Sequence, residues 1–133
     1  MDEEWARFRA RFQMALTATL EGRPDAFKEL WSHRPDVSVL GALGGLEHGW
    51  TEVGPRLDWA SSQVRASDLR LENILTVVGT DMAVTADLER MVRTVDGKPV
   101  PRTLRCTQVY RIEDGQWKIF HRHADELRPA ARW

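Results

Sequence analysis

Apolar residues recur at helical spacing near the start of the chain and again past residue 50, then alternate with polar ones from about residue 68. Trp5, Phe8, Phe12, Leu16 and Thr19/Leu20 form one stripe, while Arg7, Arg9, Arg11 and Gln13 occupy other faces. That pattern predicts an amphipathic helix over residues 2–20. Glu21-Gly22-Arg23 breaks it, Gly22 suiting a left-handed C-terminal turn. Pro24 fits the first position of a second short helix ending near Trp31, with Phe27, Leu30 and Trp31 as its apolar side. After Pro35, Val37-Ser38-Val39-Leu40 reads as a short strand closed by Gly41 and the Gly44-Gly45 pair. Thr51 is the expected N-cap of a third helix, with Pro55 in its first turn and Val53, Leu57, Ala60 and Val64 as its stripe.

Leu69, Leu71 and Leu75 fall at even spacing toward Val77, and Thr80-Asp81 turns into Met82–Leu88. Asp96-Gly97 and Asp114-Gly115 are two-residue hairpin signals, with β-formers from Thr103 to Ile112 and from Gln116 to Leu127. The order is helix, helix, strand, helix, then four long strands. Segregated helices followed by hairpins predict an α+β domain with its helices on one sheet face. A chain of 133 residues has room for a single domain, residues 1–133, with a core of about 4–127 and a loose tail from about Pro129.

Composition narrows the function classes. The net charge of -1 arises from 19 basic and 20 acidic residues with scattered arginines, which disfavours nucleic acid as a partner. Acidic residues follow Met1 where a signal peptide would be basic, and no stretch approaches bilayer length, so no membrane role is expected. Cys106 is the single cysteine and has no partner for an internal disulfide, which fits a reducing, cytoplasmic setting.

Several segments then carry a resemblance. Phe27-Lys28-Glu29-Leu30-Trp31 with Asp36-Val37-Ser38-Val39, Gly44-Gly45 before Gly49-Trp50, and the closing pair Arg105–Arg111 and Asp114–His123 resemble the nuclear transport factor 2-like superfamily. The closing pair is similar to that of SnoaL-like (ketosteroid-isomerase-like) proteins and of the association domain of calmodulin-dependent kinases. The resemblance implies a cone-shaped fold, three N-terminal helices packed on a strongly curved antiparallel sheet around one central pocket. It also implies a homodimer through the convex sheet face. It places Leu104, Cys106, Gln108, Tyr110, Phe120, Arg122 and Ala124 on the concave face, and Arg105, Thr107, Val109, Ile119, His121 and His123 on the other; a one-residue bulge would exchange the two sets.

The resemblance argues against steroid isomerisation. The family's base position falls at about Gly41 and its protonated-Asp position at Gln108. The first-helix Tyr has no counterpart, Tyr110 being the only tyrosine. Arg122 is the better clue: inside a pocket it would bind a carboxylate, or be held by an internal acid such as Glu89 or Asp87. Gln108 and Tyr110 would add neutral hydrogen bonds, and Trp31, Trp59 and Phe120 apolar wall.

His33, at the end of the second helix, and His121 are the candidates for proton transfer. His121 and His123 at i, i+2 share a strand face, but a metal site needs further ligands, so no metal and no cofactor is expected. Cys106 reads as a small buried hydrophobe. The sequence therefore predicts a small-molecule-binding domain whose ligand is small and, if Arg122 is free, anionic. The alternative is an enzyme doing acid/base chemistry (isomerase, cyclase or hydratase/dehydratase) on a small apolar carbonyl or carboxylate compound; the residues leave open whether the chain is catalytic.

Overall fold

A computed structural model describes residues 2–132. Three helices, α1 (Asp2–Leu20), α2 (Asp25–Glu29) and α3 (Trp50–Gln63), cover one face of a six-stranded sheet. The strands are β1 (Ser38–Gly41), β2 (Gly44–His48), β3 (Ala66–Val78), β4 (Met82–Val95), β5 (Lys98–Glu113) and β6 (Gln116–Glu126). Their order is β2-β1-β6-β5-β4-β3. The four long strands are antiparallel neighbours in sequence, as the hairpin signals predict. Both Asp-Gly pairs have positive φ at both residues, Asp96 at 51° with Gly97 at 75°, and Asp114 at 50° with Gly115 at 77°. That is the type I′ backbone, whose twist matches that of the flanking strands.

Three features depart from the expectation. The Gly44-Gly45 segment is a strand, β2, which pairs antiparallel with β1. β1 in turn lies parallel to β6, so the sheet is mixed rather than wholly antiparallel. The third helix is capped by Gly49 rather than Thr51; Gly49 sits at φ 85°, ψ 150°, a backbone closed to most side chains. Glu52 then accepts a hydrogen bond from the His48 amide (3.0 Å), helping to close the first turn.

Alternation on β4 is complete over its first ten residues, with Ala83, Thr85, Asp87, Glu89 and Met91 buried. On β5, Leu104, Cys106, Gln108 and Tyr110 are buried with them. β6 changes parity part-way: Val109 pairs with His121 but Tyr110 pairs with Ile119, leaving Phe120 as a bulge. Trp117, Ile119, Arg122 and Ala124 all therefore face inward, which corrects the outward assignment of Ile119 and the inward one of Phe120. Further irregularities on β1 and β3 add to the bending of the sheet around its helices.

The stripe of α1 drives the packing. Phe8, Phe12, Ala15 and Leu16 are buried against Phe27, Trp31, Val53, Tyr110, Trp117 and Ile119. This cluster fills one end of the enclosed space. At the other end lies a smaller group, Leu20, Met91, Leu104, Cys106 and Ala124, all but Cys106 bordering a gap.

Candidate functional site

The gap is a cavity of about 130 Å³. Leu16, Thr19 and Leu20 reach it from α1, Phe27 from α2, and Leu57, Ala60 and Ser61 from α3. The β1–β2 turn gives Gly41, Ala42 and Leu43, and the sheet supplies Met91, Leu104, Ala124 and two charged groups, Glu89 and Arg122. Arg56 and Arg102 complete the charged lining.

Glu89 and Arg122 come together because β4, β5 and β6 are adjacent and each turns alternate residues inward. Arg122 Nη1 donates to Glu89 Oε2 (2.8 Å) and Nη2 donates to Glu89 Oε1 (2.7 Å), a bidentate fork. Nη1 also reaches Gln108 Oε1 at 2.7 Å and Cys106 Sγ at 3.0 Å. Glu89 is wholly buried and Arg122 is 8% exposed. The guanidinium is thus held by the internal acid Glu89, one of the two named from sequence. Burial holds the Cys106 thiol well above its ordinary pKa, so it is a neutral neighbour rather than a nucleophile.

A polar chain continues from this pair along the concave face. Gln108 Nε2 donates to Tyr110 Oη at 2.6 Å, and that oxygen lies 2.6 Å from Thr85 Oγ1. Arg9 of α1 donates to Tyr110 Oη (3.1 Å) and to Asp87 Oδ2 (2.8 Å), while Asn73 donates to Asp87 Oδ1 (2.8 Å). Burial pushes the Tyr110 phenol up to about 12, so it remains a neutral hydroxyl at physiological pH. Neither Gln108 nor Tyr110 lines the cavity; Gln108 reaches it through its bond to Arg122, and Tyr110 only through Gln108.

Other candidates lie elsewhere. Trp31 is 1% exposed and belongs to the packed cluster, edge-on to Phe27 at 6.4 Å, because its strand-like bridge to Ile119 pins it under the sheet. Trp59 is 42% exposed with Arg56 stacked on its ring at 4.1 Å, since it occupies the outer side of α3. Phe120, displaced by the bulge, packs under the Arg111 guanidinium at 4.6 Å. His33 stacks on Trp50 at 3.9 Å on the surface, its Nε2 2.9 Å from the Lys28 carbonyl. His121 lies on the outer sheet face, Nδ1 2.7 Å from Ser38 Oγ, and burial with the nearby His123 lowers its pKa. None of these five lines the cavity. Among the described residues no group of three His, Cys, Asp or Glu is placed to hold a metal, and no helix is long and apolar enough to cross a membrane.

Sequence reasoning missed the ends of α1 and α3, Met91 and Arg102 as cavity residues. The apolar alternation of β4 falls on the opposite face, so the one signal for Met91 was its place two positions beyond Glu89, a candidate internal acid.

Residues 9–125 match the profile of the SnoaL-like domain. The chain belongs to the SnoaL-like domain family. Its fold is nuclear transport factor 2-like, also described as cystatin-like. Among solved structures it is similar to a Thiobacillus denitrificans protein assigned as a calcium/calmodulin-dependent protein kinase type II association domain (21% identity, TM-score 0.75, covering 91% of this chain and 93% of that one). It is also similar to an NTF2-like family member from Streptomyces avermitilis assigned as a dehydratase (17%, 0.73, 94% and 95%). A third is a Caulobacter vibrioides protein with a cystatin-like fold (19%, 0.70, 96% and 92%). At these identities the likeness speaks for the fold. No curated protein matches the sequence. This SnoaL-like domain thus has the family scaffold, with its charged pair inside an otherwise mainly apolar cavity.

Proposed function

We propose that this SnoaL-like domain binds a small, largely apolar molecule in the cavity between α1, α3 and the sheet. The observation that carries the reading is a space of about 130 Å³ whose wall is mostly aliphatic. An apolar cavity of about 150 Å³ is known to admit benzene, so a single six-membered ring is the right scale. Binding of benzene is therefore expected to raise the melting temperature by mass action. Ala60→Phe, which projects a ring into the same space, should remove that shift while keeping the circular dichroism spectrum. A wild-type protein whose melting is indifferent to saturating benzene would reject the reading.

Binding without catalysis is favoured over acid/base chemistry by the composition of the wall. Its one carboxylate among the described residues, Glu89, has both oxygens engaged by Arg122, and neither His33 nor His121 reaches the space.

We also propose that two copies pair through the convex sheet face. Register aligns Val77, Val84, Val109, His121 and Ser38 in one cross-strand row, with Leu75, Ala86, Thr107 and His123 beside it. Val77 is 56% exposed and Leu75 is also exposed, an apolar belt of the kind that a partner covers. The association-domain assignment of the Thiobacillus relative is in keeping with this. Sedimentation velocity at micromolar concentration is expected to give a dimer, and Val77→Lys with Val109→Lys a folded monomer. A wild-type monomer under those conditions would exclude the arrangement.

A further inference from the structure

We infer that the cavity selects a neutral ligand carrying a hydrogen-bonding group, such as an alcohol, amide or ketone, and discriminates against a carboxylate of the same shape. The inference rests on the ligand-binding reading above and gives that ligand a chemical class.

The first ground is charge balance. Three arginines line the cavity, and each is paired with a carboxylate, Glu126 also facing Arg128 at 3.9 Å. Arg122 is clamped by Glu89, Arg102 Nε lies 3.0 Å from Glu126 Oε1, and Arg56 Nε lies 3.5 Å from Glu47 Oε1. An entering anion would meet no uncompensated cation. It would have to shed its hydration and then sit beside the buried Glu89 carboxylate, a like-charge contact in a poorly screened space.

The second ground is the set of hydrogen-bonding positions still open. Arg122 makes its contacts through Nη1 and a single bond from Nη2. Its Nε–H and second Nη2–H have no acceptor among the described residues. Glu89 accepts one bond at each oxygen from Arg122 and is also within reach of the Cys106 thiol, which leaves at least one further lone pair open. The pair can therefore donate to a carbonyl or hydroxyl oxygen and accept from a hydroxyl or amide N–H. A neutral group that both donates and accepts satisfies both partners without breaking the fork; a carboxylate, which only accepts, can satisfy only the arginine and only against Glu89.

Benzamide and benzoate provide a test, since they are nearly isosteric and differ in charge at neutral pH. Their affinities for the wild-type protein, measured by ligand-observed NMR titration with benzene as the apolar reference, should differ by about tenfold or more in favour of benzamide. Glu89→Gln removes the competing anion and leaves Arg122 without its counter-charge, so the preference should reverse toward benzoate. Glu89→Leu with Arg122→Met should retain benzene and lose the benefit of the amide, so that benzamide no longer outbinds benzene, while benzoate stays excluded by the cost of burying an unpaired charge. If benzene binds the wild type while benzoate binds as well as benzamide, the charge-balance inference is overturned and the apolar cavity stands. If neither benzene nor benzamide binds, both readings fall together. The wild-type comparison alone is decisive if Glu89→Gln does not fold.

Discussion

Glu89→Ala is expected to destabilise the protein by about 3–5 kcal/mol, because it strands a guanidinium in the interior. Arg122 would keep only the Gln108 oxygen and the weakly accepting Cys106 sulfur, and its 8% exposure gives water little access. A charge cannot be neutralised there by releasing a proton, since arginine holds its proton across the accessible pH range. Removing both charges should behave differently. Glu89→Leu combined with Arg122→Met fills similar volume with apolar groups, and replacement of a buried pair by such groups is often neutral or stabilising. Urea unfolding of the single and double variants would measure the difference as a shift in midpoint at unchanged slope. A single variant that loses less than about 1 kcal/mol would mean that water reaches Arg122 more freely than its burial implies.

Trp31→Ala should cost a similar amount, about 3–5 kcal/mol, for a different reason. Trp31 is 1% exposed and touches Phe27, which itself packs on Phe12 at 6.0 Å and lines the cavity. The residue also lies between two main-chain bonds that fasten this segment to β6, Ser32 N to Ile119 O (2.8 Å) and Ile119 N to Leu30 O (2.9 Å). Truncation leaves a void at the joint between helix layer and sheet. Trp31→Phe should cost much less, since it keeps most of the ring and removes an indole N–H that has no hydrogen-bond partner. Calorimetric melting of the two variants separates packing from polar effects. Equal losses for Ala and Phe would contradict the packing account.

Much of the fold is legible along the chain because its periodicities are strong. The α1 stripe from Trp5 to Leu20 requires one face to be buried, whatever the partner. The Asp-Gly pairs at 96–97 and 114–115 specify their turns locally, since few other dipeptides adopt positive φ at both positions. The inner-face placement of Cys106, Gln108 and Tyr110, and of Glu89 or Asp87 as an internal acid, comes from the family resemblance rather than from these periodicities.

What lies beyond them depends on contacts between distant segments. β2 has no buried alternating face and exists through its backbone pairing with β1, so side-chain pattern could not announce it. The parallel pairing of β1 with β6 joins strands separated by most of the sequence. A single bulge at Phe120 decides that Arg122 points inward together with Ile119, a parity change that strict alternation forbids. The choice of acid for Arg122 is likewise tertiary. Asp87 and Glu89 are equivalent in the sequence pattern of β4, two residues apart on the same face. Docking of α1 brings Arg9 onto Asp87, whereas register across β5 brings Arg122 within reach of Glu89. On β4 the apolar positions Met82, Val84, Ala86 and Leu88 fall on the outer face, while Thr85, Asp87 and Glu89 are buried. The packing of helix and sheet decided both that the acids lie inside and which cation each receives, because a buried carboxylate is stabilised by whichever donor the fold carries to it.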